Sequence, residues 1–236
     1  MRICILTPGD PIKKRHKPSN ERFIDLLKPQ LPKTEWITIH CLEDDLNLNI
    51  NEFDAYLITG GKYSVFEDLG WQNNLFDLIR KIYQNNIPIV GVCYGHQALA
   101  HALGGQVERF DNGWGAGVTS VNITNRPDWL EPTVEKVYLL AMHQDQVTKM
   151  PTNATRFLGN HFCHISGFYI EDRVLAVQQH PEFTPELCRD LIFKRKERIG
   201  ERYESALQSL EIDHQGDFVG QWIANFICQR DQVQSA

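Results

Sequence analysis

The sequence predicts an α/β fold built on a mostly parallel central sheet that is flanked by helices and carries an antiparallel extension. In the first half of the chain, near-continuous apolar runs at residues 55–59 and 87–92 alternate with stretches whose apolar residues recur at helical spacing. Such runs are typical of parallel strands that helices bury on both faces. After Gly105 the apolar runs are shorter and separated by turn residues, which is typical of antiparallel strands.

Four strands and three helices are predicted in the first half. The strands cover residues 3–7, 36–42, 55–59 and 87–92, and the helices cover residues 19–31, 75–83 and 97–103. Ser19 is the predicted N-cap of the first helix. Ligands of parallel sheets bind beyond the carboxyl ends of the strands, where Gly60-Gly61 and Cys93 lie.

The second half is predicted to add short strands and then helices. The strands lie at residue 107 and over residues 118–123, 134–140, 162–170 and 174–178. From Pro185 the chain is predicted to be helical, with a break at Gly200 and a final helix over residues 218–227. Because no repeat or linker is evident, residues 1–236 are predicted to form one domain, with a core at about 3–184 and a helical extension at about 185–230.

Composition argues against several classes of function. The 236 residues are 42% hydrophobic, enough for a full core, and the net charge of −6 gives no footprint for nucleic acid. A short basic run at residues 13–17 is interpreted as a solvated loop. No apolar run is long enough to cross a membrane. With the acidic net charge, this means that neither a nucleic-acid nor a membrane partner is expected. Six cysteines without C-x-x-C pairs indicate a reducing compartment, which the cytoplasm fits best.

The histidines do not indicate a metal site. His161 and His164 lie in a predicted strand, where a spacing of three points them to opposite faces. His96 and His101 do not share a helical face, and no third ligand converges with either pair. Neither a metal ion nor a cofactor is therefore expected.

The sharpest local pattern is Gly91-Val92-Cys93-Tyr94-Gly95, between a predicted strand and a predicted helix. This is the nucleophile elbow, G-x-Nuc-x-G, in which small residues allow a sharp turn that exposes the nucleophile. A thiolate at this position faces the unpaired N–H groups and the positive dipole end of the helix, which stabilise it. Cys93 is therefore the predicted nucleophile.

A cysteine nucleophile needs a base and a group that orients the base. His180 ends a predicted strand, and Glu182 lies two residues on, so in extended chain both side chains project to the same side. Glu182 would then hold the imidazole tautomer as the acidic member of a triad. Taken alone, His180-Pro181-Glu182 is read more simply as a surface turn.

The oxyanion requires two N–H donors. Gly60-Gly61 ends a strand beside the predicted nucleophile strand, and one of these glycines is expected to turn its N–H toward the thiol. The N–H of Tyr94, directly after the nucleophile, is the second candidate donor. Taken alone, a glycine pair is more often an ordinary loop.

Together these motifs resemble the class I glutamine amidotransferases over roughly residues 3 to 184. The matching segments are Leu57-Ile58-Thr59-Gly60-Gly61, Gly91-Val92-Cys93-Tyr94-Gly95-His96-Gln97, Leu103-Gly104-Gly105, His143-Gln144-Asp145-Gln146-Val147 and His180-Pro181-Glu182. The elbow motif is highly specific, and the order and spacing of the segments match. The resemblance is to stand-alone proteins similar to the glutaminase domain of GMP synthase, and it implies a flavodoxin-like sheet.

The resemblance implies a role for each matching residue. Cys93 would attack the side-chain amide carbon of glutamine to give a γ-glutamyl thioester and ammonia, with His180 and Glu182 completing the triad. The N–H groups of Gly61 (or Gly60) and Tyr94 would hold the oxyanion. Gln97 and His143 would contact the substrate, which is glutamine or another γ-glutamyl compound.

Two departures leave the substrate open. Many family members have proline or serine after the glycine pair and serine before the histidine of the H-x-D-x-V stretch, whereas this chain has Lys62 and Met142. That serine region helps to bind the α-amino acid end of the substrate, so a preference for free glutamine does not follow.

Three functions remain open. The first is a glutaminase that passes ammonia to a separate synthetase or other acceptor subunit. The second is a stand-alone γ-glutamyl peptidase or hydrolase, and the third is a catalytically silent binding module. Proteases of similar fold usually have histidine directly after the cysteine, and this chain has Tyr94 there.

Overall fold

The computed structural model of the chain describes residues 1–9 and 15–233. Its strands are β1 (Arg2–Thr7), β2 (Glu35–His40), β3 (Ala55–Ile58), β4 (Ile89–Val92), β5 (Gln106–Arg109), β6 (Gly115–Ile123), β7 (Lys136–His143), β8 (Asp145–Lys149), β9 (Thr155–Gly159), β10 (Gly167–Ile170) and β11 (Val174–Val177). Its helices are α1 (Ser19–Leu27), α2 (Gly70–Gln84), α3 (Tyr94–Ala102), α4 (Pro185–Lys194), α5 (Lys196–Ile199), α6 (Tyr203–Ser209) and α7 (Gly216–Val233), with short 3-10 helices at Ile50–Glu52 and Gly200–Arg202.

Nine strands form one sheet in the order β2-β1-β3-β4-β11-β10-β9-β6-β7. The five strands from β2 to β11 are parallel, and each neighbouring pair from β11 to β7 is antiparallel. Strands β5 and β8 pair separately as an antiparallel ribbon. The predicted fold class, a mostly parallel sheet with an antiparallel extension, is confirmed.

The parallel strands are buried on both faces, which explains their continuous apolar sequence. In β3, Tyr56 and Ile58 belong to one core cluster, whereas Ala55 and Leu57 belong to the cluster on the opposite face. Helices α2 and α3 contribute to the first cluster, and α1 and α7 contribute to the second. Alternate side chains of one strand therefore enter two different cores.

Several predicted boundaries are corrected. Ser19 does not cap α1 but is its first residue, with Pro18 at the N-cap position, and its hydroxyl lies 3.3 Å from that of Thr59. Helix α3 begins at Tyr94 rather than at residue 97. The strand predicted over residues 162–170 begins only at Gly167, because Asn160 holds the preceding segment in a turn by accepting the N–H groups of residues 162 and 163.

Strands β8 and β9 were not predicted. Their sequences, Asp-Gln-Val-Thr-Lys and Thr-Arg-Phe-Leu-Gly, contain too few apolar residues to give a strand pattern. These two strands form because their backbones pair with β5 and β6, and this pairing cannot be predicted from the local sequence.

The basic run predicted as a solvated loop is described only in part. Residues 13 and 14 lie outside the described residues. The exposed side chain of Arg15 lies 3.4 Å from Asp190 of α4, and His16 lies 2.7 Å from the same carboxylate. No helix in the described part of the chain is long and apolar enough to cross a bilayer.

Helices α4 to α6 cover the antiparallel end of the sheet, whereas α7 packs with α1. Thr184 caps α4 by accepting the N–H of Leu187, and Pro185 occupies the first turn. The predicted break at Gly200 is confirmed, since its φ of +60° interrupts the helical run. Buried residues of α4 and α6 form a third core cluster with Val118, Leu140 and Met142.

Gly117 of β6 marks the closest approach of α6 to the sheet. Its φ is +81°, and an added Cβ would lie 2.2 Å from Ser209 Oγ and 2.5 Å from the Ala206 carbonyl oxygen. Gly113 has a similar φ of +86°, but an added Cβ there would meet nothing within 4 Å. Comparing these two glycines separates the cost of backbone conformation from the cost of helix packing.

We expect Gly117→Ala to lower the free energy of unfolding by about 1–3 kcal/mol more than Gly113→Ala, because only the former drives α6 off the sheet. Urea denaturation of both variants measures the difference. Equal losses would contradict this packing of α6.

Candidate active site

Cys93 lies at the turn between β4 and α3 in a strained backbone conformation. Its φ is +55°, which a residue with a side chain rarely adopts, and its N–H donates to the Val177 carbonyl at 2.9 Å. An added Cβ on Gly91 would lie 2.4 Å from the Gly95 carbonyl oxygen, and one on Gly95 would lie 2.3 Å from the Ile58 carbonyl oxygen. Both glycines of the predicted elbow are therefore required by close backbone contacts.

His180 reaches Cys93 because β11 lies beside β4 in the sheet. Val177 pairs with Val92, so the residues that follow both strands emerge at the same sheet edge. The His180 N–H donates to the Leu140 carbonyl at 2.8 Å, and its ring stacks on Phe183 with centroids 3.8 Å apart. The ring is therefore fixed from two sides.

Glu182 and Cys93 both interact with the imidazole of His180. Its Nδ1 lies 2.8 Å from Glu182 Oε1, and Cys93 is close enough to the ring to affect its pKa. Burial disfavours the charged imidazole, but the charges of Glu182 and Cys93 and hydrogen bonding to the ring outweigh burial and raise the pKa of His180 to about 9. The three predicted triad residues therefore lie together, with His180 as an imidazolium at neutral pH.

Gly60 and Gly61 lie against the same residues. An added Cβ on Gly60 would lie 2.7 Å from His180 Cε1 and 3.5 Å from Cys93 Cβ. One on Gly61 would lie 3.4 Å from Tyr94 Cγ and 3.0 Å from the Pro8 carbonyl oxygen. The glycine pair predicted to form the oxyanion site thus lies beside the elbow, where a side chain at Gly60 would collide with the His180 ring and one at Gly61 would be tightly packed.

Gln97 is anchored to the protein through its amide nitrogen. Its Nε2 donates to the Asp145 carbonyl at 2.9 Å and to Gln178 Oε1 at 3.2 Å. Because these two bonds use both N–H groups, the carbonyl oxygen is the group that can serve a substrate. Gln97 lines the same cavity as Cys93, and its substrate role stays a prediction.

His143 is the other predicted substrate residue, and it also lines this cavity. Its Nδ1 lies 3.3 Å from the Asp145 carbonyl oxygen. Burial, together with the nearby His180, lowers the pKa of His143 to about 4, although the bond to Asp145 partly opposes this. The side chain is therefore neutral at neutral pH.

Two cavities meet at the pair formed by Cys93 and His180. The first, of about 590 Å³, is lined by Cys93, Tyr94 and Gln97. The second, of about 610 Å³, is lined by His180 and Glu182. Both include Gly61, so the glycine pair lies at their boundary.

Sequence reasoning missed Trp114 and Arg195, which line the first cavity. Arg195 follows α4 and also lines the second cavity, and its guanidinium lies over the Trp114 ring at 5.4 Å. Burial lowers the pKa of Arg195, and Cys93 acts in the opposite direction. No local motif marks either residue, because the fold brings them in from distant segments.

No cluster of three or more histidine, cysteine, aspartate or glutamate side chains among the described residues is arranged to hold a metal ion. His161 and His164, which had been placed in a strand, lie in the irregular segment before β10. His164 Nε2 instead lies 2.5 Å from the Arg156 guanidinium.

Comparison with known proteins identifies the family. The profile described as glutamine amidotransferase class-I matches residues 32–197. The chain belongs to the class I glutamine amidotransferase family. This confirms the resemblance inferred from the elbow and its companion motifs.

Individual relatives include two enzyme types. Gamma-glutamyl peptidase 4 of Arabidopsis thaliana is 25% identical over 198 residues, which cover 80% of this chain and 78% of that protein. The glutamine-hydrolyzing GMP synthase of Streptococcus pneumoniae is 32% identical over 128 residues, which cover 53% of this chain and 24% of that protein.

Two solved structures share the fold of this amidotransferase-family chain. A glutamine amidotransferase from Methylobacillus flagellatus has a TM-score of 0.75 at 20% identity, covering 95% of this chain and 93% of that one. Another, from Thermotoga maritima, has a TM-score of 0.73 at 19% identity, covering 97% and 96%.

We expect Cys93→Ala to lower the pKa of His180 from about 9, because it removes a charge that favours the imidazolium. In the unmodified chain the proton on His180 stabilises the fold fully below the ordinary pKa of 6.5, and this stabilisation is lost as the pH rises through about 9. An NMR titration of the histidine rings, assigned with a His180→Gln variant, measures the shift. An unchanged pKa would show that the thiol and imidazole are not coupled.

Gly60→Ala should slow alkylation of Cys93 by iodoacetamide about tenfold or more. The new methyl group would lie 2.7 Å from a His180 ring that Glu182 and Phe183 hold in place, so the ring must leave Cys93. Gly70→Ala is the matched control, since an added Cβ there meets nothing within 4 Å. Equal alkylation rates in the two variants would refute the contact.

Proposed function

We propose that this chain hydrolyses γ-glutamyl amides through a thioester on Cys93, with the side-chain amide of glutamine as a substrate and ammonia passing to a separate acceptor protein. The observation that carries the proposal is the contact of Cys93 with a His180 imidazolium held by Glu182, at the boundary of two cavities. Membership of the amidotransferase family supports it. A binding module without catalytic activity would not need a charged His180 held by Glu182 next to a cysteine.

In the first half-reaction, the Cys93 thiolate attacks the γ-carbonyl carbon. The negative charge moves to the carbonyl oxygen, where the N–H groups of Tyr94 and of Gly61 (or Gly60) receive it. His180 donates its proton to the leaving nitrogen, the C–N bond breaks, and ammonia or an amine departs. A histidine with a pKa of about 9 holds that proton at neutral pH, where the leaving nitrogen needs it.

In the second half-reaction, water attacks the thioester. His180, now neutral, accepts a proton from that water, and the C–S bond breaks to give glutamate and the Cys93 thiolate. Glu182 keeps the imidazole Nδ1 protonated in both halves, so that Nε2 faces the reacting atoms.

A specific observation also favours the second candidate, a γ-glutamyl peptidase or hydrolase that releases an amine. His180 must reach the leaving nitrogen, so the leaving group lies on the side of the cavity lined by His180 and Glu182. At about 610 Å³ this cavity holds a group far larger than ammonia. The similarity to Gamma-glutamyl peptidase 4 supports the same reading.

The proposal also covers the cellular compartment and the domain organisation of the enzyme. The five buried cysteines, Cys4, Cys41, Cys93, Cys163 and Cys188, are free thiols, which supports a reducing compartment, and we assign the chain to the cytoplasm. We also treat the helices after residue 184 as part of one domain with the sheet, because their core cluster includes residues of β6 and β7. Metal and cofactor play no part in the steps proposed.

Cys93→Ala should abolish hydrolysis of glutamine and of γ-glutamyl dipeptides, and His180→Gln should reduce it by about a thousandfold or more. Release of ammonia or of the free amino acid measures this. Cys228→Ser, in the last helix, is the matched control and should retain full activity.

A diazo-ketone analogue of glutamine should add to Cys93, and peptide mass spectrometry locates the adduct. If the unmodified chain releases neither ammonia nor an amine and the analogue leaves Cys93 unlabelled, the proposed function is wrong. Comparing kcat/KM for glutamine with that for γ-glutamyl dipeptides decides between the two candidate substrates.

A further inference from the structure

Arg195 is a guanidinium that lines the same cavity as the nucleophile. Arg195 lines both cavities, and its guanidinium lies over the Trp114 ring. Cys93 is close enough to affect the pKa of Arg195 electrostatically. In the part of the chain that the structure describes, no carboxylate lies within ion-pair distance of Arg195 or of Arg198. A half-buried guanidinium that faces a cavity without an ion-pair partner has N–H groups available to an anionic ligand.

Arg109, the third arginine of the first cavity, differs in this respect. Its Nε lies 3.3 Å from Asp145 Oδ1, and its Nη2 donates to the Ser64 hydroxyl at 3.2 Å. Because Arg109 is already paired, Arg195 and Arg198 are the described arginines of this cavity that remain to bind an anion.

Met142 lines the first cavity together with Arg195. It precedes His143 where many amidotransferases have serine, and its thioether offers no hydrogen-bond donor. A substrate carboxylate therefore finds no side-chain donor at position 142, whereas the Arg195 guanidinium in the same cavity offers up to five N–H groups in planar geometry.

We propose that Arg195, assisted by Arg198, binds the α-carboxylate of the γ-glutamyl group. The inference rests on the proposed function and assigns a role in substrate recognition to the helical extension after residue 184. The cation–π contact with Trp114 restrains the Arg195 side chain before the substrate arrives, so less side-chain freedom is lost on binding.

The α-carboxylate is favoured over a carboxylate on the leaving group. Arg198 lines the first cavity, where Cys93 and Gln97 face the acyl group, and is not part of the second cavity. Glu67 also lines the first cavity and offers a negative charge for the substrate's α-ammonium group. The two charges of an amino-acid end therefore both have counterparts there.

Binding to the inactive Cys93→Ala variant tests this without turnover. Isothermal titration calorimetry with L-glutamine and with its α-amide, which lacks only the α-carboxylate charge, should give a Kd about ten to a hundred times lower for glutamine. Adding Arg195→Gln should remove this discrimination by weakening glutamine binding and leaving the α-amide unchanged. Arg195→Lys, which keeps the charge but loses the planar fork, should retain part of it.

Arg189→Gln is the matched control, because Arg189 lies on the adjacent helix and lines neither cavity. If Arg195→Gln weakens both ligands equally, Arg195 is only structural and the inference is overturned. It is also overturned if the variant discriminates normally between glutamine and its α-amide but no longer between γ-glutamylglycine and γ-glutamyl methylamide. That outcome would assign Arg195 to a leaving-group carboxylate.

The proposed function is tested separately, by measuring the hydrolysis of γ-glutamyl amides by the unmodified chain. A chain that hydrolyses γ-glutamyl amides without Arg195-dependent discrimination contradicts only this inference. A chain that binds with that discrimination but releases no product contradicts only the proposed function.

Discussion

The turn at Cys93 is the constraint on which the rest of the site depends. A positive φ at a cysteine is unfavourable by about 1–3 kcal/mol and persists only where the surroundings hold it in place. Here the Cys93 N–H is fixed to β11, and the backbone at Gly95 is pressed against the end of β3. The core that buries both faces of the parallel strands therefore supplies the energy that keeps the thiol at the sheet edge.

The same strand order assembles the other groups around that turn. Because β3 and β11 are the two neighbours of β4, the segments that follow them flank the nucleophile from opposite sides. One neighbour delivers Gly60 and Gly61, and the other delivers His180. Residues far apart in the chain thus meet through sheet topology, without a long-range motif of their own.

The sequence predicts those parts of the site whose requirements are local. Gly91 and Gly95 can be identified from the sequence because a tight turn needs glycine at both positions. Glu182 can be identified because it lies two residues from His180. Strands buried on both faces are visible as continuous apolar runs. Elements held mainly by pairing, such as β8 and β9, have no such signal.

Arg195 and Trp114 could not be predicted for a related reason. Their meeting depends on how α4 crosses the antiparallel end of the sheet, and that crossing is set by the packing of Leu187, Leu191 and Ile192 against β6 and β7. The sequence shows apolar residues at helical spacing in α4, but this spacing does not indicate which part of the sheet the helix packs against. A polar residue at the edge of such a helix acquires its function only through the docking.

The two cavities also impose an order on the proposed chemistry. Water that attacks the thioester must be activated by the same His180 that has just protonated the leaving nitrogen, so it must approach from the side that the leaving group occupied. Hydrolysis therefore cannot begin until the second cavity has emptied. Because α4 lines that cavity, the helical extension that would hold the glutamyl end through Arg195 also borders the exit of the leaving group and the entry of water. Substrate recognition and the sequence of the two half-reactions would then depend on the docking of a single helix.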